Sequence, residues 1–199
     1  MAADQHRTGF LDGAPPSEAA QQMFDDDVAD VGYVMNLTRL WAHVPEAHRR
    51  WTELTVLAAE LAGLDLRRKG VVVTAMAATL GDAYCSLAWG NRLAEVAGEE
   101  VAGAVLSGAP LEDPAEHALA AWARAVVRDP NRTTADDVQA LRDAGLEERQ
   151  VVGLTLYVAL RQAFSTVNDA LGAAPDAELL RAAPPVVREA VGYGRPAAG

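Results

Sequence analysis

LRRKGVVVTAMAATLGDAYCSLAWGNRLAEVAG, residues Leu66 to Gly98, is the stretch whose reading decides the fold. After Arg67-Arg68-Lys69 the residues through Thr79 are nearly all apolar, which predicts a helix buried on every side and so enclosed by others. Gly81-Asp82 interrupts it. Asp82 is then an N-cap and Gly98 a C-cap, so the residues from Asp82 to Ala97 form a second, self-contained helix. Nowhere do β-branched and aromatic residues alternate in short runs. Ala, Leu, Glu and Arg dominate instead, with apolar positions three or four apart, and the chain is therefore all-α.

Working outward, Ser17 caps a first helix running to about Asp30, with Glu18 in its first turn. Residues 30–44 place Val31, Val34, Leu37, Leu40 and Trp41 on one stripe, and Pro45 opens the next helix, which closes at the Gly63 turn. Downstream, Asp113-Pro114 starts a helix carrying Leu119, Trp122, Ala123 and Val126 until Asp129-Pro130 stops it. Thr133 or Thr134 caps a short helix ending at Gly145. Glu147 to Leu171 is a long helix bearing Val151, Leu154, Tyr157, Val158, Arg161 and Phe164, and a last short helix follows Pro184-Pro185. This organisation predicts one helical bundle domain over residues 16–192, with flexible tails at 1–15 and 193–199.

The 199 residues suit one domain, and half of them are apolar. A formal net charge of −11, with no basic run interleaved with aromatics, argues against nucleic acid and anionic lipid as partners. No stretch approaches the roughly 20 apolar residues of a membrane span, and the start MAADQHRTGF lacks a signal-peptide pattern, so a cytoplasmic location is expected. A single cysteine excludes an internal disulfide. His43 and His48, five apart around Pro45, lack the spacing and neighbours of a metal set, and neither a metal nor a cofactor is expected. Asp25-Asp26-Asp27, late in the first helix, reads as a solvated face.

Cys85 stands in the first turn of its helix, where the dipole and unpaired N–H groups lower a thiol pKa, while the charge of Asp82 works in the opposite direction. Trp89, four residues on, shares its face. Cys85 and Asp82 are the catalytic candidates, and Tyr84, Trp89 and Arg161 the pocket candidates. Arg161 requires a buried partner, for which Asp82 is a candidate by charge.

At these residues the chain resembles the AhpD-like alkylhydroperoxidase and carboxymuconolactone decarboxylase superfamily, in its peroxidase-related branch. That family carries Arg-Glu near the start of a buried Ala-rich helix, then C-x-x-C-x-x-x-H opening the next. Cys85 matches the second cysteine and Ala97-Gly98 the end of the helix. Gly32, Asn36 and Pro45 match the segment upstream, and the likeness spans roughly residues 30 to 172. The motif is degenerate: Asp82 stands for the first cysteine, Trp89 for the histidine, and the glutamate position falls close to Gly70. The resemblance implies an AhpD-like helical bundle, a homo-oligomer, and hydroperoxide chemistry at Cys85 on a small-molecule substrate. With no resolving cysteine, a sulfenic acid there needs an external thiol reductant. Two alternatives stand beside it: a non-redox decarboxylase or lactone-type enzyme using Asp82 for proton transfer on a carboxylated or phenolic substrate, and a catalytically silent helical oligomer.

Overall fold

The computed structural model describes residues 9–197. Its helices are α1 (Glu18–Val31), α2 (Asn36–Trp41), α3 (Pro45–Leu61), α4 (Leu66–Leu80), α5 (Ala83–Ala97) and α6 (Glu99–Ser107), followed by α7 (Pro114–Arg128), α8 (Ala135–Asp143), α9 (Glu148–Ala170), α10 (Ala177–Ala182) and α11 (Pro185–Ala190). A single 3-10 turn, Pro130–Arg132, separates α7 from α8. The described residues contain no β-strand, so the all-α class stands.

The apolar run of the opening stretch becomes α4, whose residues from Gly70 to Ala77 are all buried. It is enclosed by α5, α6, α7 and α9. Asp65 caps its start by accepting the Arg68 N–H at 2.8 Å, and Gly81, at φ 75°, ends it in a left-handed turn that a side chain would strain. Arg67 then ties α4 to α7 by donating to the buried Glu116 at 2.9 Å. Asp82, Asp113 and Thr134 cap α5, α7 and α8 through their side chains.

Two expectations are corrected. Residues 30–44 are not one helix: Gly32, at φ 86°, ends α1 in the left-handed region, and α2 restarts only at Asn36. Two short helices, α6 and α10, follow where no capping signal was read. The segments flanking the bundle are also held in part. Phe10 donates its N–H to the Leu171 carbonyl at 2.9 Å, the Tyr193 hydroxyl donates to Ser86 at 2.9 Å, and Arg195 lies over the Phe10 ring at 4.7 Å. Residues 1–8 and 198–199 of the expected tails lie outside the described ones.

Candidate functional site

Cys85 is the third residue of α5, and its N–H donates to Asp82 Oδ1 at 2.9 Å. The cap thereby fixes the first turn and the direction of the thiol. From the other side α9 presents Arg161, Phe164, Ser165 and Asn168, spaced three and four apart and therefore on one face. Arg161 Nη2 lies 3.8 Å from Cys85 Sγ, and the Ser165 hydroxyl donates to the same sulfur at 3.6 Å. Asn168 accepts the Trp41 indole N–H at 2.9 Å, which anchors the end of α2 to this face.

Cys85 borders a cavity of about 750 Å³ whose walls come from α1, α2, α3, α5, α9 and α10 and are mostly apolar, including Met23, Met35, Leu37, Trp89 and Phe164. That volume is within the range of small-molecule sites. Cys85, Tyr84, Trp89 and Arg161 all line it. Tyr84 does so with its hydroxyl turned away, donating to Asp176. Asp82 is fully buried and is not part of the lining; its second carboxylate oxygen has no hydrogen-bond partner.

The electrostatics of the thiol are set by competition. Burial pushes Cys85 up, Asp82 adds to the rise, and Arg161 and Ser165 pull it back only in part, leaving it at about 12. The helix terminus is worth roughly 0.3–1 kcal/mol to a charge, too little to offset such burial. The sulfur is therefore a neutral thiol at pH 7. Of the two opposing influences read from the sequence, the one that raises the thiol pKa prevails, reinforced by burial.

Arg161 forms no ion pair with Asp82 among the described residues. Its guanidinium lies instead over the rings of Trp89, Phe164 and Trp51 at 5.2, 5.3 and 5.6 Å. Burying a cation costs several kcal/mol, and each such ring returns about 0.5–2 kcal/mol, so the aromatic cage offsets much of the charge penalty. It does not satisfy the N–H groups: Nε has no partner, and the one hydrogen bond goes to a sulfur. Trp51 and Phe164 are themselves stacked 4.4 Å apart, and Trp41 stacks on Phe164 at 5.1 Å.

Two cavity residues escaped the reading of the sequence. His48 lines the cavity, with its ring beside those of Trp41 and Trp51 at 5.5 and 6.0 Å, and burial lowers its pKa. The available signal was its i, i+3 spacing to Trp51, which puts both on the inner face of α3. Asp27 also lines the cavity and is buried, accepting the Met35 N–H at 2.9 Å. Burial raises its pKa against that hydrogen bond. Only Asp25 and Asp26 of the acidic run form the solvated face, bonded to Gln21 and Gln22. Among the described residues no three of His, Cys, Asp and Glu converge as a metal site would require, and no helix is long and apolar enough to cross a membrane.

No protein-family model matches the sequence, and neither does any curated protein. Solved structures do share the fold. An uncharacterized peroxidase-related protein from a Silicibacter species superposes with a TM-score of 0.72 at 18% identity, over 90% of this chain and 97% of the other. A second, described as an alkylhydroperoxidase AhpD core and an uncharacterized peroxidase-related protein from Ralstonia eutropha, gives 0.69 at 20% identity over 87% and 95%.

Proposed function

We propose, from a fold shared with peroxidase-related proteins, that this chain is a single-cysteine oxidoreductase that reduces apolar hydroperoxides at Cys85 with an external thiol. The observation that supports this reading is that Cys85 lines a mostly apolar cavity and has a guanidinium 3.8 Å from its sulfur. The sulfur attacks the outer peroxide oxygen: an S–O bond forms, the O–O bond breaks, and the departing alkoxide takes the thiol proton to leave as the alcohol. Arg161 and Ser165 hold the negative charge that builds on sulfur as the proton leaves. The resulting sulfenic acid reacts with one external thiol, releasing water and leaving a mixed disulfide. A second thiol then frees Cys85 as the disulfide of the reductant departs, so two electrons reach the peroxide.

A cumene hydroperoxide assay with dithiothreitol tests this. Cys85→Ser is expected to reduce turnover to the uncatalysed level, and equal rates for the parent and the variant would overturn the reading. Because the thiol titrates near 12, the rate is expected to rise about tenfold per pH unit between pH 7 and 9, as the thiolate fraction does. The bordering cavity favours a ligand-handling protein over a silent scaffold, and the absence of Asp82 from its lining weighs against proton transfer by that residue to a cavity substrate.

A further inference from the structure

We infer that the inner end of the cavity binds the carboxylate of an apolar monocarboxylic acid, with Arg161 as its anchor and the acid's hydrocarbon or aromatic body against the apolar walls. The inference names the class of molecule for the cavity of the peroxidase reading, but it does not require the sulfur to turn over.

Arg161 is only 9% exposed yet lines the cavity, pairs with no carboxylate among the described residues, and has an unpartnered Nε. The surrounding rings attract its charge but accept no in-plane hydrogen bond, and a thiol is a weak acceptor. What the guanidinium lacks is a planar pair of oxygens, the acceptor its fork of donors matches best. It is also the one cation among the buried lining residues, the other two, Arg49 and Arg92, being exposed.

The charges around it restrict the ligand further. Asp26, Asp30, Glu46 and Glu53 line the cavity at exposed positions, and Asp27 lies further in with its carboxylate on the Met35 N–H. Glu46 and Glu53 are paired with Arg49, so a single negative group reaching Arg161 is compensated there, whereas a second one nearer the solvent meets Asp26 and Asp30. Together with the apolar walls, this selects one charge on an apolar body.

The test is a titration of the full-length parent and of Cys85→Ser with octanoate, 4-phenylbutyrate, the matching alcohols and octyl phosphate. Tryptophan fluorescence reports directly, because Trp51 and Trp89 flank the guanidinium, and calorimetry gives an independent affinity. Both carboxylates are expected to bind at least tenfold more tightly than their alcohols in both proteins. Arg161→Gln is expected to abolish that preference while leaving the affinity for the alcohols in place. Equal binding of acid and alcohol, tighter binding of the phosphate, or no binding at all overturns the inference. If Arg161→Gln does not fold, as judged by circular dichroism, the comparison of acid with alcohol on the other two proteins still decides. Cys85→Ser has no reactive sulfur, so a failed titration beside an active peroxidase sinks only this inference, and the reverse outcome sinks only the peroxidase reading.

Discussion

Asp82 and Cys85 show how one residue's capping role shapes its neighbour's chemistry. A carboxylate that accepts the Cys85 N–H at 2.9 Å fixes the turn, and the same negative charge raises the thiol pKa. Position alone left the balance between the helix end and Asp82 open, although both are local features that can be read from the order of residues. Burial is not local: it depends on α9 covering the sulfur with Arg161 and Ser165, some 80 residues away. The prediction at this scale is a rate. Iodoacetamide is expected to modify Cys85 in the folded protein at pH 7.5 at least 100-fold more slowly than in the urea-unfolded chain, given how strongly thiolate content governs that reaction. Removing the hydroxyl that lowers the thiol pKa, by Ser165→Ala, is expected to slow the folded-state reaction further. Mass spectrometry of timed quenches measures both.

Caps and breakers carried most of the element boundaries. Asp82, Asp113, Thr134 and Pro185 mark starts at or beside the observed ones because a cap is a contact within four residues. Helix α6 was not legible for the opposite reason. It is nine residues long with Gly103 inside, and a β-carbon there would come within 2.5 Å of Val186, so the glycine answers to a distant neighbour and not to its own helix. Gly153 in α9 is a similar case. A β-carbon there would approach the Ala62 backbone nitrogen and the Leu61 β-carbon to 2.8 Å, so α3 and α9 meet with almost no side chain between them. Alanine normally gains about 1 kcal/mol over glycine in a helix. Here the clash with backbone outweighs that gain, and Gly153→Ala is expected to lower stability by roughly 1–2 kcal/mol, within the usual range for overpacking. Chemical denaturation with the slope held common to both proteins checks it. A Gly153→Ala protein as stable as the parent would mean that the two helices part for no more than the roughly 1 kcal/mol that alanine gains.

Across the whole molecule, buried acids set the response to pH. Asp169 is raised from 3.8 to about 6, chiefly by burial and next by Asp82, against the pull of Arg195. The folded state therefore holds this proton more tightly than the unfolded chain. Its contribution to stability is fully present below pH 3.8 and is lost as the pH rises through 6. Asp27 and Asp176 are shifted in the same direction. His48, whose pKa burial lowers, works in the opposite direction over the same range, but the three acids outnumber it, so the unfolding free energy in urea is expected to fall between pH 4.5 and 6.5, and Asp169→Asn to flatten part of that slope; an unchanged slope in the variant would remove Asp169 from the account. The all-α class and the central helix were legible because they follow from composition and period. The cavity was not, because it assembles residues from Ala19 to Leu179 that share no local pattern. The contact between Phe10 and Arg195, with the Phe10 amide on the Leu171 carbonyl, joins segments near opposite ends of the described chain. Such a contact closes one of the longest loops among the described residues, and loop closure is a cost incurred before any contact repays it. Its formation belongs at the end of folding, once the bundle has brought both segments together. In deuterated solvent the Phe10 amide should consequently lose its proton long before those of α4, through openings that leave the rest of the protein intact.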